Sequence, residues 1–257
     1  MARRSWILWA MAALGYAFLY VPLIIVIVYS FNDSRLNAEW VGFTWHWYEV
    51  LLKDEQMLTA AWNSLIIGVS ASAVATVLGT MAGYAMYRFK LRLLPVLVLM
   101  PIAIPEILMG VSLLIFFVML NVTLGMLSIT LAHIAFCIGF VAIVVRSRLT
   151  GMDESLTEAA RDLGATHWQA FRLITLPLIM PGIIAGALMA FTLSIDDFVI
   201  TFFTAGVDAT TLPLQIYSMI KIAVTPEVNA VSTLLMLVTL ILIVIASRLS
   251  PGALRGE

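Results

Sequence analysis

Charged side chains are scarce in this chain: of its 257 residues, Asp, Glu, Lys and Arg make up only 11%, against about a quarter in a soluble domain. A surface so poor in charge excludes a water-soluble enzyme or binding module. Cys137 is the single cysteine, so no disulfide can form within the chain. His46, His133 and His167 stand far apart without ligand-like spacing, and no metal site is expected. A Gly-rich G-x4-G-K-[ST] phosphate loop is also missing, so any ATP hydrolysis must belong to another chain.

What is abundant is apolar sequence, 62% of residues, with a mean hydropathy of +1.05. Segments of about 20 apolar residues cross a bilayer as helices, because a helix satisfies its own backbone donors and acceptors in lipid. Six such spans are expected: Trp6 to Phe31, Ser64 to Tyr87, Leu93 to Leu120, Met126 to Ser147, Leu178 to Phe203 and Asn229 to Ser247. The run after Arg3 and Arg4 is too long for a signal peptide core and reads as a retained span.

Of the 14 Lys and Arg, all but Arg35, Lys53 and Lys221 fall on one side if the N-terminus is cytoplasmic, the distribution that the positive-inside rule demands. Both termini and the polar stretch from Arg146 to Met180 are therefore expected in the cytoplasm. The opposite face carries Asp33, Glu39, Glu49, Asp54, Glu55, Asp208 and Glu227, a net negative surface that would draw cations. Its long loop, Asn32 to Asn63, is rich in Trp and Tyr. An interfacial aromatic belt accounts for that enrichment; contact with an external partner is the alternative.

Small residues recur every four positions in the second span (Ala71, Ala75, Gly79, Gly83) and the fifth (Gly182, Gly186, Ala190, Ser194). Such stripes let helix backbones approach closely in lipid. The third span carries Pro95, Pro101 and Pro105, which predicts a kinked, inward-facing helix.

The polar stretch reads as two short helices about a sharp turn. Asp153 is placed to cap the first, and Gly164 to end it in a left-handed conformation. Thr166 with Gln169 forms a capping box for the second, which Pro177 is expected to stop. Within it, Glu158-Ala159-Ala160, Gly164, Ile174, Leu176 and Pro177 follow the pattern E-A-A-x3-G-x9-I-x-L-P. That pattern resembles the permease subunits of ATP-binding-cassette importers. The resemblance implies an all-α, six-helix, type I importer (MetI-like) permease fold, one transmembrane domain over 1–257, with a coupling loop at 148–178. By the same resemblance Glu158, Ala159, Ala160, Asp162 and Gly164 couple the chain to a separate ATPase, which carries the ATP and magnesium. The chain itself is then a transport subunit and not an enzyme.

Ionisable groups within spans are costly and usually line a path or cavity. Glu106, Asp196 and Asp197 have no intramembrane Lys or Arg to pair with, which points to a cationic passenger. A helical register puts Asp197 near the Ser194, Ala190, Gly186 face while Asp196 points elsewhere; one of the two is expected on the path, and the other braces a neighbouring helix or reaches the outer interface. The alternative is that both begin the outer loop and cap it. The stretches YSFNDS (29–34), WHWY (45–48), FTLSIDDF (191–198) and LPLQIYSMIKIAVTPEVNA (212–230) resemble the second permease subunit of spermidine/putrescine importers. This narrower resemblance implies four kinds of partner: a homologous permease, a pair of ATPase subunits, a periplasmic binding protein and a polyamine. Tyr16, Tyr20 and Trp40 would suit the methylene stems and ammonium groups of such a substrate. Another small cationic solute is the alternative cargo. An ion-coupled secondary transporter has no need of the docking element, and an aspartic protease would need acids that face each other across helices.

Overall fold

The computed structural model describes residues 2–34, 39–89 and 92–249. Arg35, Lys90 and Arg255, used above for orientation, lie outside the described residues, as do the side chains of Arg3, Arg4 and Arg248. Every regular element among the described residues is helical. In chain order these are α1 (Ala2–Tyr29), α2 (His46–Leu51), α3 (Glu55–Arg88), α4 (Leu93–Ala103), α5 (Glu106–Met119), α6 (Met126–Thr150), α7 (Ser155–Asp162) and α8 (His167–Ala170). One π turn (Phe171–Thr175) leads into α9 (Leu176–Asp196), followed by α10 (Val199–Thr204), α11 (Leu212–Ile220) and α12 (Pro226–Leu249).

Two compact units are formed. The first comprises Met1–Leu58 with Gln215–Val238. In it Asn32 is fully buried and organises the loop after α1: its Nδ2 donates to the Glu39 carbonyl at 2.8 Å, its Oδ1 accepts from Val41 N–H at 2.9 Å, and its carbonyl accepts from Trp47 Nε1 at 2.8 Å. Above that knot Phe31, Phe43, Trp45 and Tyr48 pack ring on ring, with centroids 4.9 to 5.6 Å apart. The two aromatic-rich stretches YSFNDS and WHWY therefore fold against each other.

The second unit, Thr59–Leu214 with Thr239–Glu257, is built around α6. A Cβ added at Gly79 of α3 would lie 2.6 Å from Cβ of Val141 and 2.9 Å from the Ile138 carbonyl oxygen, and one at Gly186 of α9 would lie 3.2 Å from Cγ1 of Val141. Both small-residue stripes thus face the same helix of this chain, one on each side of Val141, and dispersion contacts hold the three helices where no hydrophobic drive operates. Overpacking of such a seam costs about 1–3 kcal/mol. We expect Gly79→Leu to lower the thermal midpoint in detergent, whereas Gly15→Leu, whose added Cβ meets nothing within 4 Å, leaves it unchanged; equal midpoints for the two would refute the seam.

Three sequence expectations need correction. The segment Leu93 to Leu120 is not one kinked helix: α4 and α5 meet at 106°. Pro101 and Pro105 lack the donors that would have reached back four residues, and the residue before a proline disfavours helical backbone. Ile104 accordingly turns extended, at φ −82° and ψ 132°, and the helix breaks outright.

The fifth span ends at Asp196 rather than Phe203, because Asp197 is extended and Val199–Thr204 forms a helix of its own. Pro177 does not stop the second short helix either. His167 to Asp196 is one helical run of 30 residues. Its π turn lets Leu176 N–H bond the Phe171 carbonyl, and the proline falls just after, where α9 restarts. Among the described residues four helices are long and apolar enough to cross a membrane, or five if the broken pair α4–α5 is counted as one span. The sixth apolar segment is α12, whose apolar stretch Pro226–Ile241 is shorter.

Candidate functional site

The polar segment between α6 and α9 is a tightly specified turn. The N-cap position of α7 is Glu154, whose side chain makes no cap bond, and not Asp153 as the sequence suggests; Asp153 stands one residue earlier, and its Oδ1 accepts from Ser155 N–H at 2.9 Å. The side-chain and backbone hydrogen bonds from Ser155 hold the Asp153 carboxyl below its ordinary value. At the other end Gly164 takes φ +93°. Its N–H bonds the Arg161 carbonyl at 2.9 Å, and Ala165 N–H bonds the Ala160 carbonyl at 3.0 Å, the paired bonds of a Schellman ending. Thr166 and Gln169 then cap α8 reciprocally, at 3.2 and 2.8 Å.

Along α7 the side chains of Glu158, Ala159 and Asp162 are exposed, as is Leu156, and Leu163 at its end is 90% exposed. Only Thr157 and Ala160 are half-buried. A helix with two exposed leucines, held by the Asp153–Ser155 bond before it and the Schellman ending after it, is a preformed surface that stays apolar until something covers it.

A second constellation lies where α9 gives way to α10. Asp197 has a side chain only 6% exposed, and its Oδ2 lies 3.2 Å from Nε2 of His133, itself 1% exposed. The same oxygen accepts from Thr201 N–H at 2.8 Å and from the Thr201 hydroxyl at 3.0 Å, while Oδ1 accepts from Ile200 N–H at 3.3 Å. Nδ1 of His133 meets the Ser194 hydroxyl at 2.7 Å, and Nε2 lies 3.0 Å from Thr201 Oγ1. A proton on Nε2 lets the ring donate towards Asp197 while Nδ1 pairs with the Ser194 hydroxyl, so each polar group of this network has a partner. Asp197 thus caps α10 and ties it to α6, whereas its neighbour Asp196 is exposed.

Glu106 is exposed at the first position of α5, where the helix dipole favours an acid. α5 and α10 pack closely, since a Cβ on Gly110 would fall 2.6 Å from Phe203. Glu106 and Asp197 therefore head two helices in mutual contact, although nothing joins their carboxylates directly. Tyr20 belongs to the other unit, 55% exposed and stacked on Tyr16 at 6.1 Å.

His133 was not singled out by sequence reasoning except as a poor metal ligand. The only signal available was its solitary place in an apolar run, with Asp197 and Thr201 four residues apart elsewhere. No group of three or more His, Cys, Asp or Glu among the described residues is arranged to hold a metal ion.

Residues 75–252 match the family described as "Binding-protein-dependent transport system inner membrane component". The chain is 42% identical over 245 residues to the spermidine/putrescine transport system permease protein PotC of Escherichia coli K12, covering 94% of this chain and 93% of that one. It is 43% identical over 233 residues to the putrescine transport system permease protein PotI of the same organism, covering 87% and 83%. Among solved structures, a chain of a bacterial ABC transporter involved in alginate import superposes with a TM-score of 0.72 at 16% identity, covering 96% and 97%. A chain of the MetNI methionine ABC transporter gives 0.66 at 22%, covering 79% and 100%. At such identities the two structures speak for the fold alone.

Proposed function

The chain belongs to the family of binding-protein-dependent transport system inner membrane components, and from that premise we propose that it is the permease subunit through which an ATP-driven importer passes polyamines. Its cytoplasmic face is the one that bears α7, and both termini lie on that side. The partners are a second homologous permease, two ATPase subunits that hold the ATP and magnesium, and a periplasmic binding protein that delivers the substrate. Glu158, Ala159, Ala160, Asp162 and Gly164 form the surface gripped by the ATPase. The observation that carries this reading is α7 itself, apolar on an exposed side and ended by a glycine at positive φ.

Polyamine cargo is favoured by the names of the relatives and by the acids. Glu106 and Asp196 are exposed carboxylates on apolar helices, an arrangement that suits ammonium groups. Tyr20, with Tyr16, offers ring faces for the same cations. Asp197 acts differently, since its oxygens are already occupied; it holds the end of the path in shape.

The test is uptake of radiolabelled putrescine by the full complex in liposomes. Asp196→Asn and Glu106→Gln are each expected to reduce uptake roughly tenfold, the loss of one charge interaction of about 1.4 kcal/mol in a partly dry path, with subunit assembly intact. Unchanged uptake in both variants would sink the cation path. Orthovanadate should abolish uptake in the unmodified complex; survival of uptake until a proton gradient is collapsed would select an ion-coupled carrier instead.

A further inference from the structure

The polar segment is joined in sequence only to α6 and α9, yet a third helix holds it. Tyr84 and Tyr87, three residues apart, share one face of the last turn of α3. The Tyr87 hydroxyl donates to Oε1 of Glu154, the residue immediately before α7 and 67 positions away in sequence. One turn earlier, the Tyr84 ring meets Phe171 edge-on with centroids 5.1 Å apart, and Phe171 stacks on Trp168 at 5.6 Å. Both arms of the α7–α8 hairpin are thereby fastened to the end of α3, one by a hydrogen bond and one by an aromatic stack.

We propose that Tyr87 and Glu154 form a latch that makes α3 follow α7, so that displacement of the hairpin reaches three helices rather than two. This deepens the reading of α7 as the ATPase-gripped element and rests on it. Neither residue touches substrate; both are positioning residues. The chemistry fits the task. A phenol donating to a carboxylate makes a charge-assisted bond of fixed direction, and the stack at Tyr84 leaves a pivot about which that bond sets the angle. Without the latch, the hairpin keeps its caps and its grip on the ATPase but turns about the stack, and the stroke is lost before it reaches α3.

The experiment uses the full importer complex in liposomes, with uptake of labelled putrescine counted per ATP hydrolysed. Tyr87→Phe and Glu154→Leu are each expected to lower that ratio about tenfold, the shift that accompanies loss of a hydrogen bond to an ionised group. The ATPase subunits should co-purify in full. Glu154→Gln, whose amide oxygen still accepts the phenol proton, should stay near the unmodified ratio. The double variant Tyr87→Phe/Glu154→Leu should be no worse than either single, as for two residues that act through one bond. A normal ratio in Tyr87→Phe, additive losses in the double variant, or loss of ATPase co-purification would each overturn the latch. Glu158→Lys, run alongside, separates the two ideas. If it uncouples transport while Tyr87→Phe does not, the latch alone fails; if it leaves coupling untouched, the docking reading fails and the latch with it.

Discussion

A Gly164→Val chain is expected to reach the membrane and assemble, yet to lose tenfold or more of its transport-coupled ATP hydrolysis. The reasoning starts from space, which is ample: a Cβ at Gly164 would meet nothing within 4 Å. Sterics with neighbours therefore cost nothing, and the whole penalty is in the backbone. At φ +93° a β-branched side chain clashes with its own peptide groups, at a cost of about 1–3 kcal/mol. The chain escapes that cost by rotating out of the left-handed region, which breaks the bonds from Gly164 and Ala165 to the Arg161 and Ala160 carbonyls and re-aims α7 relative to the Thr166 cap. Asparagine tolerates the left-handed region better than other side chains, so Gly164→Asn should retain more coupling than Gly164→Val. ATPase stimulation by the loaded binding protein is the measurement. Full stimulation in the valine variant would mean that the angle of α7 does not matter.

The largest loss of stability is expected from Asp197→Ala. Removal of this carboxylate leaves His133 Nε2, the Ile200 and Thr201 amides and the Thr201 hydroxyl short of an acceptor in a buried place. Each buried donor left without an acceptor costs about 1–3 kcal/mol, and several are orphaned together, a large part of what holds an ordinary domain together. Asp196→Ala, at an exposed neighbouring position, should stay within about 0.5 kcal/mol. Adding His133→Leu to Asp197→Ala should recover part of the loss, because the orphaned ring is then gone. Thermal denaturation in detergent distinguishes these outcomes. An Asp197→Ala protein as stable as Asp196→Ala would show the network to be ornamental.

These two sites differ in how readily the sequence discloses them. Gly164 and the Thr166–Gln169 cap are local: each makes its bonds within five residues, so spacing alone foretells them. Helix packing was half visible. The stripes through Gly79 and Gly186 announce close neighbours, but only the fold identifies Val141 as the neighbour of both. The break at Ile104 was foreshadowed by three prolines, though a kink and a break leave the same signature in sequence and differ only in what surrounds the freed carbonyls.

Pro177 misled for the opposite reason. A proline in a run usually ends it, yet here one widened turn absorbs the missing donor and the helix continues. The network of Asp197 was least legible. His133 and Asp197 lie 64 positions apart, on elements whose periodicity says nothing of each other.

The unbroken run from His167 to Asp196 has a mechanical meaning. Thirty residues at about 1.5 Å each make a rod of about 45 Å, enough to cross the bilayer from end to end. If the α7–α8 hairpin is the element gripped by the ATPase, a push delivered beside Trp168 would arrive at Asp196 without passing through any side-chain relay, as motion of a crank travels through a connecting rod. The regular hydrogen-bond ladder of that rod is interrupted at the π turn Phe171–Thr175 and at Pro177 and Pro181, so the force felt at the far end would depend on how stiff those few residues are.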